Sequence, residues 1–315
     1  MSTEPRVPDA PPADRQPVTL PRLTEMKRLG EPIVMITAYD YPSAQVAEEA
    51  GVDVVLVGDS AANVVLGYDS TVSVSLEEML MLAQAVTRGA RTPLIVGDLP
   101  FGSYQVSDAQ AVESAVRFLK EAGCDAVKIE MAGTAGGPVD KHESIARARA
   151  IVSAGIPVMG HVGLTPQSAS ALGGFKAQGR TARQAVQVAD DAVALQDAGC
   201  FAIVFEAVPA AVAETVMERM QVPVIGIGAG GATDGQVLVF HDLLGMYGGH
   251  APRFTKRFAE IRSAMVEGVQ AYADEVRAGR FPAGEHTYSI DPAELERFRE
   301  IVAPGKPWDA ADFMS

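Results

Sequence analysis

The sequence predicts an α/β protein, a closed (β/α)8 barrel, and three observations carry that prediction. Eight short apolar runs rich in Val and Ile recur along the chain: Ile33–Asp40, Val52–Ser60, Pro93–Pro100, Cys124–Met131, Ile156–Leu164, Cys200–Val208, Val222–Gly230 and Val237–Leu243. They lack apolar/polar alternation, which suits strands buried on both faces, the habit of parallel sheets covered by helices. Helix-like stretches separate them, at Tyr41–Ala50, Leu76–Arg88, Asp108–Glu121, Lys141–Val152, Ala182–Asp197 and Ala210–Met220. Third, the pairs Ala50-Gly51, Ala122-Gly123, Ala154-Gly155 and Ala198-Gly199 each end a helix just before a strand, where glycine can take the left-handed stop conformation. Alternating strand and helix means βα units; an open doubly wound sheet is the competing arrangement.

The flanks differ from this core. Residues 1 to 20 hold five prolines and little apolar periodicity, which predicts a disordered arm. The barrel is expected over residues 21–253. Beyond it, Phe254–Ala278 and Asp291–Val302 read as amphipathic helices, followed by a short tail; residues 254–315 are expected to pack on the barrel or at a subunit interface.

Charge and composition exclude several functions. With 26 Lys plus Arg against 40 Asp plus Glu, the net charge of −14 repels nucleic acid and anionic membranes alike. No run reaches the roughly 18 apolar residues of a membrane span, and the N-terminus lacks a signal-peptide core, so a cytoplasmic protein is expected. Cys124 and Cys200 each open an apolar run without a C-x-x-C spacing and read as buried core residues. Five scattered histidines, with no H-E-x-x-H pair, argue against zinc.

Asp59, Asp98, Glu130, His161 and Glu206 each sit at the C-terminal end of a different apolar run. In a barrel those ends converge on one mouth, where barrel active sites are built. A lone Asp after a strand is more simply a helix N-cap. Two of them, each preceded by Val-Gly on what should be neighbouring strands and with Glu130 on the next, shift the reading toward a cation. An all-oxygen ligand set favours Mg2+. Lys128 and Glu130, two apart, share one face of a strand. They form either a structural ion pair or a substrate-binding lysine beside a metal ligand. Glu206, ending CFAIVFEAVP, is expected to be desolvated, which favours a general base; a capping or salt-bridged Glu is the even alternative. His161 reads as a hydrogen-bonded neighbour of the reacting groups rather than as a catalyst. The Gly226–Gly231 segment matches G-x-G-x-x-G after a strand, yet no acidic residue follows at the spacing a dinucleotide site needs. Close backbone approach to a ligand at the mouth fits it better.

Ten motifs in order then resemble the ketopantoate hydroxymethyltransferase family: TAYDYPSA (37–44), VGDSAANVVLGYDST (57–71), VGDLPFGSY (96–104), VKIE (127–130), GHVGLTPQS (160–168), GGFKAQGR (173–180), VFEAVP (204–209), PVIGIGAG (223–230), DGQVLVFHD (234–242) and FPAGEHTY (281–288). The resemblance implies a barrel of the phosphoenolpyruvate/pyruvate type assembled as a homodecamer. It implies hydroxymethyl transfer from 5,10-methylenetetrahydrofolate, the co-substrate, to the 2-oxo acid 3-methyl-2-oxobutanoate with Mg2+, giving 2-dehydropantoate for pantothenate synthesis. It assigns Asp59, Asp98 and Glu130 to the metal, Asp59, Ser60, Asp98 and Lys128 to substrate, and Glu206 to proton abstraction. The chain departs from the family pattern at Ala61–Asn63 and across Met131–Asp140, where no candidate catalytic residue is lost. Two other classes compete: a Mg2+-dependent carbon-carbon lyase or mutase of the same barrel superfamily, and a non-catalytic assembly protein. The first lacks its usual K-K-C-G-H-like loop here, and the second would be marked by loss of the base or a metal ligand, all of which are present.

Overall fold

The computed structural model describes residues 15–131, 143–168, 177–248 and 252–304. Two compact units divide the chain, one up to Glu260 and one from Ile261 onward. In the first, eight parallel strands close in sequence order into a barrel, β1 pairing with β8. The strands are β1 (Ile33–Thr37), β2 (Val54–Val57), β3 (Leu94–Asp98), β4 (Ala126–Glu130), β5 (Val158–Gly163), β6 (Ala202–Glu206), β7 (Val224–Ile227) and β8 (Gly235–Leu238). Among the described residues this unit also carries helices α1 (Leu20–Leu29), α2 (Tyr41–Ala50), α3 (Ala61–Val64), α4 (Leu76–Gly89), α5 (Asp108–Lys120), α6 (Glu143–Ser153), α7 (Ala182–Asp197), α8 (Ala210–Met217) and α9 (Phe240–Leu243).

Period-two geometry divides the strand residues between two cores. Inward-facing Ile33, Met35, Val54, Leu56, Leu94, Val96, Ala126, Met159, Ala202 and Val204 form one apolar cluster inside the barrel. Outward-facing Val55, Val57, Ile95, Val127, Ile129 and Ile203 pack with the helices in another. The inward register of β3, β4, β5 and β6 then continues upward into Asp98, Lys128 and Glu130, His161, and Glu206. The barrel is therefore apolar below and ionisable at the C-terminal rim, and strand alternation alone aims those side chains at one space.

The helix stops behave as the Ala-Gly pairs imply: Gly51, Gly123, Gly155 and Gly199 take φ of 75°, 76°, 85° and 97°. Several boundaries depart from expectation. Residues 15–19 are anchored rather than loose: Arg15 donates to the Gly51 carbonyl at 2.8 Å and the Val18 N–H to the Thr92 carbonyl at 2.7 Å. Residues 1–14 of the expected arm lie outside the described residues. Helix α1 has no counterpart in the sequence reading. Thr19 caps it, Pro21 sits in its first turn, and only Leu23 and Met26 are buried, too few to write an amphipathic pattern. The eighth strand begins at Gly235 and ends at Leu238, and the rest of the expected run turns into α9, whose Phe240 N–H donates to the Thr37 hydroxyl at 2.9 Å.

The second unit carries α10 (Ile261–Arg277) and α11 (Pro292–Ile301), the latter capped by the Asp291 carboxylate. Helix α10 starts seven residues later than its periodicity suggests. Residues ahead of it are used locally, the Phe258 N–H donating to the Leu243 carbonyl at 2.8 Å. Among the described residues no helix is long and apolar enough to cross a membrane. Both cysteines are buried free thiols, and burial pushes each up to about 12.

Candidate active site

The residues expected at the mouth do meet there, in one chain of contacts. The Asp59 N–H, just past β2, donates to Asp98 Oδ2 at 3.1 Å. Asp98 Oδ1 accepts from Lys128 Nζ at 2.7 Å, across paired positions of β3 and β4. Lys128 Nζ stands 3.6 Å from Glu130 Oε1, which stands 3.4 Å from His161 Nδ1. His161 Nε2 is in turn 3.2 Å from Glu206 Oε2. The last two are ionic contacts and not hydrogen bonds: both ring nitrogens and Glu130 Oε1 are buried without hydrogen-bond geometry. Glycine helps set the end of this chain. Gly163, at φ 94°, lies so close to the Glu206 carbonyl that an added Cβ would fall 2.3 Å from that oxygen.

Electrostatics follow from burial and neighbours. Desolvation, then repulsion from Asp98 and Glu130, holds the Asp59 carboxyl well above its usual range. Burial also raises Asp98, although Lys128 opposes the shift. Burial works against ionised Glu130, but Lys128 and His161 outweigh it and hold its carboxyl low. Lys128 resists burial in the same way, kept charged by Asp98, Glu130 and Asp59. For His161, burial and Lys128 oppose a positive charge, yet Glu130 and Glu206 on either side lift its pKa to about 9. Four carboxyl groups therefore share the mouth with Lys128 and His161.

Glu206 is less enclosed than its apolar flanks imply, with 16% of its side chain exposed, whereas Asp98 and Glu130 keep 2% each. Ser60 lies at the edge of the cluster, its hydroxyl 2.8 Å from that of buried Tyr39. The glycine segment after β7 approaches the chain's own side chains: a Cβ on Gly228 would meet Phe254 at 2.5 Å and one on Gly230 would meet Ala210 at 2.6 Å. Two residues of this cluster were absent from the sequence reading. Gln167 donates from its side chain to Asp59 Oδ2 at 3.0 Å, and Tyr104 donates to Gln167 Oε1 at 2.7 Å. Both fall inside motifs already noted, but an uncharged side chain in a loop carries no periodic signal. Of the motif stretches, Met131 is described and buried, while 132–142 and 169–176 lie outside the described residues.

The donor set suits a hard divalent cation. Every carboxyl donor is oxygen, burial disfavours the ionised forms of Asp59 and Asp98 that a cation would favour, and Glu130 Oε1 is a buried oxygen without a hydrogen bond. Among the described residues no three His, Cys, Asp or Glu side chains are grouped to hold an ion by themselves. Mg2+ is commonly held by one or two carboxylates with water and substrate oxygens completing its shell.

A model of the ketopantoate hydroxymethyltransferase family matches residues 17–284. The chain belongs to this family. Membership makes it an enzyme, a transferase. A relative from Carboxydothermus hydrogenoformans, 3-methyl-2-oxobutanoate hydroxymethyltransferase, is 52% identical over 280 residues, covering 89% of this chain and 98% of the relative. Among solved structures, phosphonopyruvate hydrolase matches with a TM-score of 0.57 at 14% identity, covering 91% of this chain and 99% of the other. A 2,3-dimethylmalate lyase of the PEP mutase/isocitrate lyase superfamily matches with a TM-score of 0.54 at 17% identity, covering 88% and 93%. These two likenesses concern the barrel fold; the family match runs from residue 17 to residue 284.

Proposed function

We propose that this enzyme converts 3-methyl-2-oxobutanoate, 5,10-methylenetetrahydrofolate and water into 2-dehydropantoate and tetrahydrofolate. The observation that carries the reading is the paired, desolvated carboxylates of Asp59 and Asp98 at the barrel mouth, held beside Lys128 and joined through Glu130 and His161 to Glu206. Asp59 and Asp98 would hold the metal, with Glu130 the third acidic residue of the metal site, as the family resemblance implies. A divalent ion such as Mg2+ supplies, when bound, positive charge for the keto oxygen and carboxylate of the substrate. Glu130, turned toward Lys128 and His161, adds negative charge to the site and orients both cations. Lys128 offers its charge to the substrate carboxylate, and Ser60 a hydroxyl. Glu206, the most exposed carboxylate of the cluster, takes the proton from C3 of the ketoacid. Water cleaves the two C–N bonds of the methylene bridge, releasing tetrahydrofolate and a formaldehyde unit; the C3 electron pair attacks that carbon, and the C=O pair becomes an oxyanion that takes back the proton held by Glu206 to give the hydroxymethyl group. His161 holds Glu206 in place from the barrel interior.

Incubating the protein with ketoacid, methylenetetrahydrofolate and Mg2+ tests this: 2-dehydropantoate should form, EDTA should stop it and added Mg2+ should restore it. Full turnover in metal-free protein contradicts the assignment of Asp59 and Asp98. The second unit fits an assembly role, since α10 and α11 contain no buried residue. A homodecamer, as the family resemblance implies, should appear by light scattering; a stable monomer at micromolar concentration refutes it.

A further inference from the structure

Gln167 follows β5 in the single turn Pro166–Ser168 and is buried, yet it touches the ends of two other strands and the loop after a third. Its backbone N–H donates to Glu130 Oε2 at 3.0 Å. Its side-chain Nε2 donates to Asp59 Oδ2 and to the Leu99 carbonyl, both at 3.0 Å. Its Oε1 accepts from the Tyr104 hydroxyl at 2.7 Å and from Gln105 Nε2 at 3.4 Å. A primary amide has two donor hydrogens and two acceptor lone pairs, and here all four are used. The orientation of the amide is fixed by its neighbours. A carboxylate and a carbonyl on one side demand the NH2, and a flip would set oxygen against both. Tyr104 reinforces this from the other side: its oxygen accepts from the Glu130 N–H at 3.2 Å, which directs its hydrogen to Gln167 Oε1.

We propose that Gln167 is a positioning residue for the metal site, held in orientation by Tyr104, which commits Oδ2 of Asp59 and so fixes which carboxylate oxygen Asp59 presents to a divalent cation. The proposal rests on the reading above that Asp59 and Asp98 hold the metal. By its backbone the same residue pins Glu130, so the acidic groups of β2 and β4 are set by one turn of chain. Such partners of ligating groups typically change metal affinity about 10- to 100-fold when removed.

The test is a Mn2+ titration of the full chain followed by electron paramagnetic resonance of the free ion, without substrate. Gln167→Met keeps length and removes the donor; it should weaken Mn2+ binding about 10- to 100-fold. Tyr104→Phe, which leaves Gln167 in place but removes the stronger of its two Oε1 partners, should weaken it in the same direction and by less. The double variant should lose less than the sum of the two single losses, because Tyr104 acts on Asp59 through the Gln167 amide. At saturating Mn2+ the exchange of the ketoacid C3 proton should recover most of its wild-type rate, a recovery that general unfolding would not allow. Wild-type Mn2+ affinity in Gln167→Met, or fully additive losses in the double variant, would overturn the proposal. Should Gln167→Met not fold, unchanged Mn2+ affinity in Tyr104→Phe overturns it equally. Failure of the wild-type protein to bind Mn2+ would instead remove the metal reading itself, and is told apart by occurring without any substitution.

Discussion

The β3 to β6 arc of the barrel and the β7, β8, β1 arc obey different rules. On the first, every strand residue from Leu94 to Asp98 and from Ala126 to Glu130 is buried, helices cover the outside, and the inner register ends in ionisable groups. On the second, β7 runs to β8 with no intervening helix, Val34 is 50% exposed on the outer face of β1, and Gln236 is exposed on β8. A groove of about 930 Å³ follows this open wall, lined by Val34, Gly228, Gly230, Gln236 and Phe254 among others. The buried ionisable groups Asp98, Lys128, Glu130 and His161 stand on the closed arc, Asp59 joins them from the end of β2, and the partners they find in one another offset the cost of desolvation.

The largest effect that sharpens this contrast is on the ion pair inside the closed arc. Lys128→Met leaves Asp98 and Glu130 buried without their cation, and stripping one partner from such a pair costs about 3 to 5 kcal/mol. Urea unfolding of the metal-free protein should show that loss, and a variant as stable as wild type would mean that water reaches the cluster. The apolar layers below it are next. Met159→Ala, inside the barrel, should cost about 2 to 5 kcal/mol, whereas Val34→Ala on the open wall should stay within about 0.5 kcal/mol. A loss from Val34→Ala comparable to that from Met159→Ala would show that the open wall is covered in solution.

A smaller effect is the pH dependence set by His161. Its folded pKa of about 9 exceeds the ordinary 6.5, so the stability it contributes is fully present below pH 6.5 and is lost as pH rises through 9. The melting temperature of metal-free protein should fall across that window, and His161→Gln should flatten the fall. An equally steep fall in His161→Gln would mean that the imidazole does not carry the charge held between Glu130 and Glu206.

The same contrast explains what could be read in advance. Strands buried on both faces write continuous apolar runs, so β2 to β6 were legible, and their C-terminal ends pointed to Asp59, Asp98, Glu130, His161 and Glu206. Half-exposed β8 writes no such run: Gln236 breaks it outward and Phe240 extends it falsely into α9. Within the site, charge was legible and neutral polarity was not. Gln167 reaches Asp59 across 108 residues of sequence, a contact that only closure of the barrel creates. The degree of burial was not legible either, since Glu206 shares the apolar flanks of its neighbours yet opens to the mouth. A further difference lies in the glycines after β7, which make room for Phe254 and Ala210 of the same chain.

The central claim is that Glu206 removes the ketoacid proton while Asp59 and Asp98 anchor the metal. Exchange of the C3 proton of 3-methyl-2-oxobutanoate with deuterated solvent, followed by proton NMR without folate, tests it most directly. Glu206→Gln should slow exchange about 10²- to 10⁴-fold with ketoacid binding little changed, while Asp98→Asn should weaken metal and ketoacid binding together. Wild-type exchange in Glu206→Gln would contradict the account and pass the role of base to another group, with His161 the next to test.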